Sequence, residues 1–235
     1  MLRDSGVELI DHYLSEDDCG QLLRDIEEYR SAHEIPTIYR AQPGRSLRYL
    51  VIDGDRIHES FPGIVGIYRR VGQLVQRMGG MDLAPLSNRA ASVNVNVIEA
   101  GGEYRWHYDR NAVTAILYLN AVSGGETEMY PNYRLRLGRW KHTCAQRWLD
   151  RVLRTRWLIE WFGHKTEISP RAGRILVMRG DRCLHSVRPV EGPRERVNII
   201  MTFDLPDARF PVQRDLDPYL YSKVPAPSVD PNYRR

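Results

Sequence analysis

The hydrophobic pattern changes its period twice along this 235-residue chain. Val7-Glu8-Leu9-Ile10-Asp11 alternates as a short strand does. Ser15 before Glu16, Asp17 and Asp18 supplies an N-cap with acids in the first turn. Leu22, Leu23, Ile26 and Tyr29 then continue at helical spacing, so 16–32 is predicted as an amphipathic helix. Residues 45–53 read as extended around Leu47, Tyr49 and Val51. A second helix is predicted from Ser60 to Met78, burying Val65, Tyr68, Val71, Leu74, Val75 and Met78 and stopping at Gly79-Gly80. From 91 onward the pattern turns to short β-rich runs cut by Gly and Pro: 92–98, 113–119, 126–130, 166–168, 174–179, 184–190 and 196–203. Short strands with turn signals between them predict a sandwich or jelly roll. The exception is 139–163, where Trp148, Leu149, Val152, Leu153, Trp157, Leu158 and Trp161 recur at three- and four-residue intervals, which predicts an inserted helix.

This pattern implies one mainly β domain over 1–235. It has an N-terminal strand and helix layer (7–90), a β core (91–204) carrying the insert 134–165, and a proline-rich tail (205–235). No run approaches eighteen apolar residues, so no membrane span is expected. The start lacks the apolar centre of a secretory signal, and Cys19, Cys144 and Cys183 are too few and scattered for a disulfide framework or a zinc site. A reduced, cytoplasmic setting is the expectation.

Charge changes the picture little. The net charge is +4, but residues 134–165 hold nine Arg or Lys against two Asp or Glu, so the remaining chain is slightly acidic. Only Lys141, Lys165 and Lys223 are lysines, a bias that reflects base composition as readily as phosphate binding.

The candidate chemistry lies in Tyr104-Arg105-Trp106-His107-Tyr108-Asp109 and Leu184-His185-Ser186-Val187. On an extended segment His-X-Asp puts imidazole and carboxylate on one face. With a second His, that is the two-His, one-carboxylate set of non-haem Fe(II) oxygenases. On the last strand Val197, Ile199, Met201 and Phe203 form an apolar face and Arg196, Asn198, Ile200 and Thr202 the other. On the strand before the first His, Asn94, Asn96 and Ile98 oppose Val93, Val95 and Val97.

The motifs surrounding these residues resemble the prolyl-4-hydroxylase-like branch of the Fe(II)/2-oxoglutarate oxygenases. They are Gly101-Gly102-Glu103-Tyr104 before His-X-Asp, Tyr118-Leu119-Asn120, Gly124-Gly125-Glu126-Thr127, Pro170-Arg171-Ala172-Gly173, Leu176-Val177-Met178 and His185-Ser186-Val187-Arg188-Pro189-Val190. The likeness covers roughly 7–32 and 92–203. It implies a double-stranded β-helix (a cupin-like jelly roll) with His107, Asp109 and His185 holding Fe(II), and with 2-oxoglutarate and O2 as cosubstrates. It implies a basic residue on the distal carboxylate of 2-oxoglutarate: Arg196 aligns best, with Arg194 the alternative. Arg suits that task because its planar fork binds a carboxylate bidentately. Tyr118 matches a tyrosine that helps hold that carboxylate. Ile98 departs from the pattern where many relatives place a tyrosine, so Asn96 is either its replacement or a structural amide, and Asn198 joins the same face. Tyr104, Trp106 and Glu126 are the candidate substrate contacts.

The implied reaction is hydroxylation of a C–H bond with release of succinate and CO2; Asp109 stands where halide-binding relatives carry Gly or Ala. The substrate expected is a small metabolite, possibly anionic. The alternatives are a peptidyl residue of the prolyl type, a methylated nucleic acid (the less expected partner, since no second Arg follows on the last strand) and a non-catalytic binding module. Two roles fit the insert: a helix packing its tryptophans on the β domain with a solvated arginine face, or a wall of the substrate pocket.

Overall fold

The computed structural model describes residues 2–40, 47–79, 82–86, 89–109, 111–135, 137, 143–153, 155, 158–159 and 164–206. Its strands are β1 (Val7–Ile10), β2 (Thr37–Arg40), β3 (Leu47–Ile52), β4 (Ala84–Pro85), β5 (Val93–Ile98), β6 (Tyr104–His107) and β7 (Val113–Tyr118). They continue as β8 (Ser123–Gly124), β9 (Thr127–Tyr130), β10 (Thr166–Ile168), β11 (Ile175–Met178), β12 (Leu184–Val187), β13 (Val190–Glu191) and β14 (Arg196–Asp204). The helices are α1 (Leu2–Ser5), α2 (Glu16–Ala32), α3 (Gly54–Ser60), α4 (Pro62–Gly79), α5 (Arg89–Ser92) and α6 (Cys144–Leu153).

Eight strands form the major sheet in the order β1-β11-β7-β14-β5-β3-β2, with β4 on the end of β14, and β10-β9-β12-β6 form the minor sheet. This is the expected double-stranded β-helix, antiparallel throughout its described pairings.

Alternation along the major strands divides the interior in two. Val95, Val97, Leu117, Val177, Val197, Ile199, Met201 and Phe203 face the helices and build the main core with Ile26, Ile64, Val71 and Val75. The opposite face looks into the barrel, where Ile116, Tyr118, Leu176 and Met178 meet Met129 and Ile168 of the minor sheet. Residues two apart on β14 thus serve different purposes: its odd positions glue the sheet to α2 and α4, and Arg196 and Asn198 are left to line the barrel.

Helix α2 begins where the sequence predicts it, with the Ser15 hydroxyl accepting from the Asp18 amide at 3.1 Å. The second expected helix is α4, and a short helix not expected, α3, precedes it. Asp53 caps α3 by accepting from the Arg56 amide, and Pro62 then opens α4. The insert departs most from expectation. Its helix is only ten residues long, and it buries Gln146 and Asp150 while Trp148 is 66% exposed. The Trp148 packing expected from the periodicity is therefore absent. Trp157, Trp161 and the tail beyond 206 lie outside the described residues. Among the described residues, no helix is long and apolar enough to cross a membrane.

Gly173 ties the N-terminal layer to the barrel. Its amide donates to the Tyr118 carbonyl, its carbonyl accepts from the Leu14 amide, and its φ is +75°. A Cβ there would stand 2.0 Å from the Leu14 carbonyl oxygen. Gly173→Ala is expected to lower stability by at least about 2 kcal/mol, or roughly 4–8 °C in Tm, from left-handed strain plus backbone displacement. Gly101→Ala is the control in thermal melts, because it has the same φ but open space around its Cβ, and its loss should be clearly smaller.

A candidate metal and cosubstrate site inside the barrel

The first half of the site is made where β6 and β12 pair. His185 stands directly opposite His107, but Val187 stands opposite Tyr104, so β6 carries one extra residue, a bulge. Asp109 lies beyond the end of β6 and is not a strand residue. Its main chain is fixed by an Asp109 N–H to Gly180 carbonyl bond of 2.9 Å.

The three side chains converge: one ligand atom from each lies within 4.8 Å of the others. Asp109 Oδ1 is 3.4 Å from His107 Nε2 and 3.5 Å from His185 Nε2. Each imidazole turns its other nitrogen to a carbonyl. His107 Nδ1 lies 2.8 Å from the Arg105 oxygen and His185 Nδ1 3.1 Å from the Cys183 oxygen. A carbonyl only accepts, so Nδ1 of each ring carries a proton, which leaves Nε2 as the atom available to a metal at the centre. Burial pulls the His107 pKa below the usual histidine value, helped by the His185 charge. Burial acts on His185 too, but the Asp109 carboxylate outweighs it and raises that pKa. Desolvation acts on Asp109 as well, yet the two imidazoles hold its carboxyl well below the ordinary range. The group is a preformed anionic donor between two nitrogen donors, which suits a divalent first-row metal.

The second half lies on the inner face of the major sheet. Asn198 pairs with Asn96 on one side and Tyr118 on the other, and Arg196 pairs with Ile98. Arg196 is 2% exposed; its guanidinium donates to Asn198 Oδ1 at 2.6 Å and to Thr127 Oγ1 at 3.0 Å, and lies 5.2 Å from the centre of the Tyr118 ring. The Tyr118 hydroxyl shares Thr127 Oγ1 at 2.7 Å. Burial lowers the Arg196 pKa and raises that of Tyr118. Two buried donors here, Arg196 Nε and Asn198 Nδ2, have no acceptor. Unsatisfied buried donors around a buried cation mark the place of an anionic ligand, and a carboxylate fits them.

The structure therefore brings together His107, Asp109 and His185 at one place and Arg196, Asn198, Asn96 and Tyr118 at another. It does not bring Arg194, which is exposed in the turn before β14, while the intervening Glu195 pairs with Arg30 at 2.6 Å. Of the candidate substrate contacts, Tyr104 sits 4.5 Å from the His107 ring, because the bulge turns both the same way. Trp106 instead packs on Tyr130, in an aromatic row continued by Tyr133, and Glu126 meets Arg188 at 3.6 Å. Thr127, Thr114 and Asn111 were not anticipated. Only Thr127 had a signal, as the last residue of Gly124-Gly125-Glu126-Thr127.

A two-His, one-carboxylate set in a double-stranded β-helix, with His185 buried and His107 and Asp109 half-buried, defines the class: a non-haem metal oxygenase fold. Residues 93–203 match the family model of the 2OG-Fe(II) oxygenase superfamily. That region carries the domain and the metal-ligand set of an Fe(II)- and 2-oxoglutarate-dependent dioxygenase, an enzyme type whose second cosubstrate is O2. Among solved structures, a Pseudomonas putida prolyl-4-hydroxylase superposes with a TM-score of 0.59 at 19% identity, covering 87% of this chain and 95% of its own. The carbocyclase SnoK from nogalamycin biosynthesis gives 0.67 at 18%, over 91% and 85%. HygX from Streptomyces hygroscopicus, bound to nickel, 2-oxoglutarate and hygromycin B, gives 0.60 at 11%, over 88% and 85%. These likenesses establish the fold. No protein of curated function matches the chain by sequence.

Proposed function

We propose that this dioxygenase hydroxylates an unactivated C–H bond of a small metabolite, with His107, Asp109 and His185 holding the iron and Arg196 the distal carboxylate of 2-oxoglutarate. The observation that carries the assignment of roles is the pair of orphaned donors beside Arg196, on the same barrel interior that holds the triad. When bound, iron and 2-oxoglutarate supply an oxidant for C–H bonds through oxidative decarboxylation. The protein's residues do the rest. Arg196 and Asn198 offer donors to the anionic end of the cosubstrate, and Tyr118 and Thr127 fix the guanidinium plane. Asn96 fills the same face as a neighbouring amide. Ile116, Met129, Leu176 and Met178 keep that interior apolar and dry.

Support for a small substrate comes from the insert. Arg134 lies over the Tyr108 ring at 5.0 Å, between the two ligands of the His-X-Asp loop, and pairs with Asp150 of α6 through two bonds of 3.0 and 2.5 Å. Gln146 extends this tie to Leu135 and Leu137. A segment tied to the triad loop in this way suits a compact ligand better than a chain lying in an open groove. SnoK and HygX belong to or bind natural products, which favours the same reading. The prolyl-4-hydroxylase neighbour, covered over 95% of its length, favours a peptidyl substrate as the second reading.

The test is an anaerobic titration of metal-free protein with Fe(II) and then 2-oxoglutarate, followed by succinate assays against two panels. Growth of a metal-to-keto-acid charge-transfer band is expected, perturbed by amino acids or natural-product acids and not by proline-containing peptides. Peptide-driven succinate release would replace the small-metabolite reading with the peptidyl one. A protein that binds neither iron nor 2-oxoglutarate would refute the assigned roles.

A further inference from the structure

The two oxygens of Asp109 are not equivalent. Oδ1 faces both imidazoles. Oδ2 accepts from the Thr114 hydroxyl at 2.6 Å. Thr114 Oγ1 in turn lies 2.8 Å from Asn111 Nδ2, whose amide nitrogen also reaches the Val113 carbonyl at 2.6 Å. A carbonyl cannot donate, so the Asn111 nitrogen must be the group facing it, which fixes the amide orientation. Asn111 therefore donates to Thr114, and the single proton of Thr114 is left to point at Asp109. The polarity of the chain Asn111 to Thr114 to Asp109 is forced by its ends. Only glycine fits beside this bond: a Cβ on Gly180 would stand 2.7 Å from Oδ2 and 2.8 Å from Thr114 Oγ1.

We infer that Thr114 is a positioning residue that ties off one oxygen of Asp109, so that the carboxylate offers the metal a single donor atom. The inference rests on the triad being the iron site. Its consequence is chemical: a two-His, one-carboxylate set leaves positions open for 2-oxoglutarate and O2 only while the carboxylate occupies one of them. A freed carboxylate could close on the metal through both oxygens and compete with the cosubstrate. Nothing in the sequence pattern marks Thr114, because its role depends on a loop folding back on the strand that follows it.

Co(II) serves as the probe, titrated into the metal-free full chain and followed by its visible d–d bands, with 2-oxoglutarate added afterwards. Thr114→Ser keeps the hydroxyl and should match the wild type. Thr114→Val keeps the shape and removes the donor. It should bind Co(II) about ten- to a hundredfold more weakly, the range for removing an outer partner of a metal ligand. Its d–d bands should also change in intensity as the carboxylate rearranges, a signature that a loss of stability alone does not produce. Asn111→Ala, which releases the Thr114 hydroxyl, is measured beside it and should shift the same bands in the same direction, so the test survives a Thr114→Val that fails to fold. Wild-type affinity and spectrum in the folded variants overturn the inference and leave the triad standing. A wild type that takes up no Co(II) overturns the triad and this inference together.

Discussion

Asp109→Ala is expected to abolish turnover and to weaken Fe(II) binding by more than about a hundredfold, beyond the range typical for an outer-shell partner. Asp109 is the anionic member of the set, and both imidazoles contact the same oxygen, Oδ1. Its removal takes away a ligand and the negative charge that makes a divalent ion welcome in a buried place. Charge and position can be separated with Asp109→Glu. That variant keeps the carboxylate, but the added methylene moves it off the position at which Thr114 holds Oδ2 and Oδ1 meets both imidazoles. Asp109→Glu should therefore also lose most of the metal affinity, as read by anaerobic titration with retained fold checked by circular dichroism. Wild-type affinity in Asp109→Glu would mean that a carboxylate anywhere nearby suffices, and the preformed geometry would carry no weight.

Much of this site was legible from strand alternation. Residues 196–203 separate into an apolar face and a face with Arg196 and Asn198, and the structure puts the first against the helices and the second inside the barrel. The choice of Arg196 over Arg194 was not decidable from parity, because both have the same parity. The start of β14 at Arg196, which buries that side chain and leaves Arg194 in an exposed turn, favours Arg196. The triad was legible as residue types, but the reason given for it was only half right. His107 ends β6, so Asp109 owes its place to Thr114 and to the Gly180 carbonyl rather than to strand periodicity.

The extended character of 104–109 was legible, but the bulge in β6 was not, because an extra residue breaks the period of two. The short strands β2, β4, β8 and β13 are defined by what they pair with, not by any repeat of their own. The insert misled for a different reason. Its apolar residues recur at helical spacing, yet α6 turns Gln146 and Asp150 inward, where Arg134 and the backbone of Leu135 and Leu137 satisfy them. A paired polar face can win over an apolar one when its partners are supplied by a distant segment, and periodicity within a helix cannot register that.

Arg196→Met should make the metal-loaded protein more stable without 2-oxoglutarate and less stable with it. Arg196 is a buried cation whose guanidinium bonds neutral oxygens, from Asn198 and Thr127, and feels the Glu126 carboxylate without a direct ion pair to it among the described residues. Holding such a charge costs stability that an apolar side chain of similar length restores, by about 1 kcal/mol or more after the loss of its two hydrogen bonds. For a chain of this size that is roughly 2–4 °C in Tm. The same substitution removes the partner of the cosubstrate's distal carboxylate, which should weaken 2-oxoglutarate by about 2–5 kcal/mol, or roughly 30- to several-thousand-fold. Saturating 2-oxoglutarate at about a hundred times its Kd adds about 2.7 kcal/mol to the wild type and almost nothing to the variant. The two melting curves, recorded with Mn(II) as an unreactive metal, should therefore exchange order when 2-oxoglutarate is added. Arg196→Lys keeps the charge without the fork and should gain neither benefit. If Arg196→Met melts lower in both conditions and still binds 2-oxoglutarate, the arginine is a structural prop. An exchange of order means that the fold holds this charge at a cost for the sake of its ligand.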